Sequence, residues 1–299
     1  MHWLVEPGFF SSQPVRVALV IGGIVAIVSA VVGVFTVLRG QSFAGHALTD
    51  VSAAGGSGAF LLGISPLLGF VGLGLIGAAT MDAIGVQRAR GRDLATGIVL
   101  GAATGLAALF LYLDTTSGAT TGAAQTVLFG SIFTVAASTI PVVIGLGVLT
   151  LAAVAALYRP LLLASASPDI AAARGIPVRL VGIGFMAALA VAVGLSSIVI
   201  GAILSTALLI GPAATALRLT NRIGSALVLA AAIGVGATWL GVLLAYDSAD
   251  WSASHNGFPV SSFIVALTFL AYLASGLRPV RRLTGRRNES TVTIHTDRR

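Results

Sequence analysis

Long apolar runs alternate with short polar breaks along the chain. The runs extend from about Val15 to Leu38, His46 to Ile64, Pro66 to Val86 and Leu94 to Leu113. Each comes near the 20 or so helical residues that cross a hydrocarbon layer of about 30 Å at roughly 1.5 Å per residue. A fifth run, from about Phe133 to Leu157, follows a polar, Thr/Gly-rich stretch. The apolar sequence from Val181 to Leu217 is too long for one crossing and predicts two helices divided near Ser196 and Ser197. Ile223 to Ala245 and Ser261 to Leu277 complete the pattern. It predicts an all-α polytopic membrane protein with nine transmembrane helices, or eight if one piece is re-entrant. One transmembrane domain over residues 1–277 then precedes a tail over 278–299.

Composition agrees with that pattern. The chain is 57% hydrophobic and 9% charged, more apolar than a single soluble core requires, so lipid must cover the remainder. The formal net charge is +7, yet every cation is an arginine and nearly all of them sit in the polar breaks. The charge therefore reads as topology and gives no nucleic-acid face. Arg39, the group Arg88, Arg90 and Arg92, the group Arg159, Arg174 and Arg179, the pair Arg218 and Arg222, and everything from Arg278 onward fall on one side; Arg16 falls on the other. With an odd number of spans this predicts an external N-terminus and a cytoplasmic C-terminus. The tail is basic and without apolar periodicity, which predicts disorder. The first residues lack a basic segment and a small-residue cleavage site, so no removable signal peptide is expected.

Composition also removes several chemistries. The chain has no cysteine, which excludes disulfides, thiolate metal sites and cysteine nucleophiles. Gly72, Gly74 and Gly77 have dinucleotide-fingerprint spacing, but they lie inside an apolar run with no strand before them and no acidic partner after them. Small residues of this kind let membrane helices approach closely.

The informative residues are ionisable groups within apolar runs, each costing about 2.5–3.5 kcal/mol at a helix centre on insertion scales. His46 and Asp50 are four apart and share one helix face, with Thr49 beside them and Ser57 two turns on. An imidazole and a carboxylate so placed can co-ligate a borderline or hard divalent cation, with further ligands from another helix or subunit. The alternative is that the two merely hydrogen-bond each other near the helix end. Asp82 is a further metal candidate, although Arg88, Arg90 and Arg92 are close enough to offset its charge. Asp247, Asp250 and His255 fall in an outer segment that reads as a solvated loop. Between Tyr158 and Leu180, Ser167 is a good N-cap, Pro168 suits the first helical position, Asp169 favours the positive helix end, and Gly175 followed by Pro177 stops the helix. This predicts a short capped helix whose Ala173 and exposed Arg174 suit either a passive connector or docking to another protein.

Taken in order, FTVLRGQSFAGHALTD, GISPLLG, LFGSI, SPDIAAARGIPVRL and ALLIGPAATALRL resemble the permease subunits of zinc, manganese and iron ABC importers. The resemblance runs from about Val15 to Leu277 and implies the ABC importer permease fold in a bacterial cytoplasmic membrane. It implies a homodimer served by an extracytoplasmic metal-binding protein. Each copy would engage a cytoplasmic ATPase through the helix at Ser167 to Gly175. Second-span residues would line the cation path. The family order in that helix is Gly-Asp-x-x-Ser-His, whereas this chain reads Gly45-His46-Ala47-Leu48-Thr49-Asp50, with the two ligand types exchanged. No Walker motif occurs, so ATP would act on the partner, the chain itself would be a non-catalytic translocation subunit without a resident cofactor, and the divalent cation would be cargo. Two rivals remain: an ATP-driven permease for a metal chelate or other small solute, and a proton-coupled transporter using Asp50 and Asp82.

Overall fold

A computed structural model describes residues 9–84, 92–117, 122–130, 132–248 and 257–277. The described residues are helical, with no strand among them. The long helices are α1 (Gln13–Leu38), α2 (Ser42–Leu61), α3 (Pro66–Ile84) and α4 (Arg92–Ser117). A short α5 (Ala123–Phe129) and two 3-10 turns, Ile132–Thr134 and Ala137–Thr139, lead to α6 (Ile140–Ala166). There follow the six-residue α7 (Pro168–Ala173), α8 (Val178–Ile200), α9 (Ala202–Leu219), α10 (Ile223–Asp247) and α11 (Val260–Gly276). Seven of these, α1, α3, α4, α6, α8, α9 and α10, are long and apolar enough to cross a membrane. Helix α11 is shorter at 17 residues, and α2 is rich in Gly, Ala and Ser. Protein surrounds α2 on α3, α4, α8 and α9, so its side chains need not be lipid-soluble.

Helices α1 and α8 form the interior. Phe35 of α1 meets Tyr158 of α6 edge-on at 5.9 Å and Phe185 of α8 at 6.5 Å, and the Arg39 guanidinium lies 5.3 Å over the Phe185 ring. These contacts gather the end of α1, the end of α6 and the start of α8, and with them Arg39, Arg159 and Arg179, at one end of the bundle. Arg218 closes α9 over the Tyr272 ring of α11 at 3.8 Å, a cation–π contact at a helix end. Helices α2 and α3 cross through Gly55 and Gly69: a Cβ at Gly55 would sit 2.1 Å from the Gly69 carbonyl oxygen, and one at Gly69 would sit 2.2 Å from that of Gly55. This small-residue crossing brings the backbones together where lipid supplies no drive for association.

The structure shifts two expected boundaries. The apolar run from about Phe133 to Leu157 predicts the fifth helix there, but the helix covers Ile140–Ala166. Phe133 belongs to a 3-10 turn, Pro141 supplies a favourable helix start, and the helix continues through Pro160 to bury Leu161 and Ala164. The Thr/Gly-rich stretch before it contains α5, which the apolar pattern did not predict. The long run breaks at Gly201, not at Ser196 and Ser197. Both serines stay inside α8, where their hydroxyls are satisfied by donating to the carbonyls of Ala192 and Val193, one turn back, at 2.8 and 2.9 Å. Gly201 has φ 79° and abuts Gly130, itself at φ 77°, a left-handed conformation that costs a side chain dearly. Helix α3 ends at Ile84; Val86, Arg88, Arg90, Ser131, Asp250, His255 and the tail over 278–299 lie outside the described residues.

Candidate metal site

Helix α2 begins beside the Arg39 end of the bundle. Gln41, which precedes it, is 3% exposed, and its side-chain oxygen accepts from Arg39 Nε at 3.1 Å. Gly45 packs on Leu209 of α9, and α9 runs ten residues further, about 15 Å, to its end at Leu219. That is about half of a hydrocarbon layer of roughly 30 Å. Asp50, one turn beyond His46, meets Thr104, the midpoint of α4. The pair therefore sits part-way along the bundle, with Thr104 on an exposed face of α4.

His46 and Asp50 are each half-buried, and they engage different helices instead of each other. His46 Nδ1 is 3.2 Å from Thr206 Oγ1 of α9. Thr206 Oγ1 is 3.3 Å from Thr49 Oγ1, and the Ser205 hydroxyl reaches the same Thr49 oxygen at 3.3 Å. Thr49 in turn donates to the Gly45 carbonyl at 3.1 Å. On the other side the Thr104 hydroxyl donates to Asp50 Oδ2, a charge-assisted bond. The result is an imidazole and a carboxylate on one face of α2, each anchored by a hydroxyl from a neighbouring helix. Imidazole, carboxylate and hydroxyl donors suit divalent first-row cations.

The apolar pattern did not point to Thr206, Ser205 or Thr104, although Ser205-Thr206 stands out as two adjacent hydroxyls in an apolar run. Asp114, a further ionisable group in an apolar run, is fully buried in α4. Asp82 is half-buried near the end of α3, on a helix that does not carry the His46 and Asp50 pair. Among the described residues no group of three or more His, Cys, Asp or Glu side chains forms, so further ligands for a cation at α2 would be hydroxyls, carbonyls, water or a second copy.

The short helix is built as its sequence suggests. Ser167, in extended conformation, caps α7 by accepting from the Ile170 amide at 3.4 Å, with Pro168 and Asp169 in the first turn. Gly175 has φ 77° and donates to Ala172 at 2.9 Å, while Ile176 reaches back to Ala171 at 3.0 Å, a C-terminal stop that needs glycine. Ala171 is buried and ties α7 to the bundle; Asp169, Ile170, Ala173, Arg174 and Gly175 are exposed.

The ABC 3 transport family model matches residues 11–277. The chain belongs to the ABC 3 transport family. Among its family relatives, the manganese transport system membrane protein MntC of Halalkalibacterium halodurans is 33% identical over 84% of this chain and 85% of its own. The manganese import system permease protein ScaB of Streptococcus parasanguinis is 31% identical over 77% of this chain and 81% of its own. The solved structure of PsaBC from Streptococcus pneumoniae in complex with Fab superposes with a TM-score of 0.76 at 27% identity, covering 90% of this chain and 92% of that one.

Proposed function

We propose that this chain is the membrane-spanning subunit of an ATP-driven importer of divalent transition-metal cations. Manganese, the metal in the relatives' names, is the first to test, with zinc and iron beside it. The observation that carries the reading is the His46 and Asp50 pair part-way along the bundle on α2, in a chain of this family. Ionisable side chains are expensive there and are retained where they serve a path. In this reading all nine long helices cross the membrane, the N-terminus lies outside, and two copies pair. Helix α7 docks on a cytoplasmic ATPase, with Ile170 and Arg174 presented to it. ATP binding by that partner would shift the permease between outward-open and inward-open states, while an external binding protein supplies the cation.

Elemental analysis of metal-limited cells expressing the permease with its ATPase and binding protein tests this. Wild type should accumulate one of the three metals, and His46→Ala and Asp50→Asn should both abolish the accumulation at unchanged membrane levels. Wild-type accumulation no higher than the empty vector would overturn the cation reading and direct the search to chelate uptake. Accumulation without the ATPase, collapsing on addition of an uncoupler, would replace it with proton coupling.

A further inference from the structure

The hydroxyls between α2 and α9 can be assigned a direction by counting protons. Each hydroxyl has one proton to donate. Five contacts need one: His46 Nδ1 to Thr206 Oγ1, Thr206 Oγ1 to Thr49 Oγ1, Ser205 Oγ to Thr49 Oγ1, Ser205 Oγ to the Ala202 carbonyl, and Thr49 Oγ1 to the Gly45 carbonyl. The Gly45 oxygen can only accept, so Thr49 donates to it. The Thr49 oxygen is then an acceptor for Ser205 and for Thr206. Thr206, having given its proton to Thr49, can only accept from the ring. Running the chain the other way leaves the Gly45 contact without a proton. Ser205 has one proton for two of the five contacts, so this direction fills four, whereas any arrangement in which Thr206 donates to the ring fills three; the better-filled one carries the imidazole hydrogen on Nδ1.

We infer that Thr206, supported by Thr49, is the positioning residue that holds His46 in the Nδ1–H tautomer and leaves the Nε2 lone pair free as the cation ligand. The ligand half of this inference rests on the cation reading above; the tautomer half does not. A histidine that binds a metal through one nitrogen commonly donates from the other to a fixed acceptor, which sets ring orientation and basicity. Thr206 and Thr49 supply that acceptor here. Thr49 is fully buried and Ser205 is 1% exposed, which shields that end of the chain from water, while Thr206 and His46 are half-buried. Because the acceptor sits on α9 and the ring on α2, moving α9 against α2 would remove it and let the ring take the Nε2–H tautomer, which cannot ligate through Nε2. Cation affinity is thereby tied to the relation of two helices.

The test uses the full chain, 15N-labelled at histidine, in lipid bilayers without metal at an alkaline pH where imidazole is neutral. Subtracting the solid-state NMR spectrum of His46→Asn isolates the ring. Wild type should show a protonated Nδ1 and a bare Nε2. Thr206→Val should move the ring toward the Nε2–H tautomer, and Thr206→Ser should restore the wild-type pattern. In uptake assays with the ATPase and binding protein, Thr206→Val should raise the cation KM about 10- to 100-fold, with rescue by Thr206→Ser. An Nε2–H ring in wild type, or an unchanged ring in Thr206→Val, overturns the inference, and the wild-type spectrum decides even if the valine variant fails to fold. The expected spectra without any metal uptake by wild type would sink the cation reading and leave the positioning role standing.

Discussion

The half-buried Asp50 carboxyl group accepts from Thr104 of α4. Burying that group unassisted would cost several kcal/mol, and Thr104→Val removes the donor while keeping the shape. Cation KM should rise about tenfold or more with little change in membrane level, as read by concentration-dependent uptake. Thr104→Ser should behave as wild type. At this scale the pair His46 and Asp50 was visible in the sequence, because ionisable groups in an apolar run announce themselves. Their partners were not: Thr104 and Thr206 lie 54 and 160 residues away from the groups they serve, and threonine is common in membrane helices for local reasons. Most of the hydroxyls here bond only to the carbonyl one turn back, as Thr36 does to Val32 and Thr150 to Leu146. No local signal separates those from the ones that reach across helices.

The division between α8 and α9 rests on two glycines in contact. A Cβ on Gly201 would meet the Leu128 carbonyl oxygen at 2.2 Å and would also have to adopt φ 79°. Gly201→Ala should therefore destabilise the protein by at least 1–3 kcal/mol from backbone strain alone, seen as a lower unfolding midpoint in detergent. Gly72→Ala is the matched control: nothing lies within 4 Å of its Cβ, and alanine favours a helix interior by up to about 1 kcal/mol. Helix α7 makes a separate prediction. Ile170 is 51% exposed on it, so Ile170→Asp should leave stability near wild type while abolishing copurification of the ATPase. The end signals of α7 were legible because caps and stops are local chemistry. The true break at Gly201 was not, since the chain offers 37 glycines and only the approach of Gly130 distinguishes this one.

For the whole molecule, the proposed nine crossings and cytoplasmic arginines predict which surfaces label from which side. The absence of cysteine makes single-cysteine labelling direct. Phe10→Cys should react with a membrane-impermeant maleimide in intact cells, and Ala173→Cys only after permeabilisation. The same side for both would overturn either the odd number of spans or the orientation.

The sequence by itself determined the class of the protein, the approximate position of most of its helices, the family, and the two ionisable residues on α2. All of these depend on composition, helical periodicity or short ordered motifs, which are properties of neighbouring residues. Tertiary structure decided the rest. It placed His46 and Asp50 part-way along the bundle, each half-buried. It separated the pair onto different partners, joined Gly201 to Gly130, and connected His46 through hydroxyls to a backbone carbonyl. Each of these is a contact between segments far apart in the chain, and the energy that selects it comes from close packing and filled hydrogen bonds, which no local pattern records.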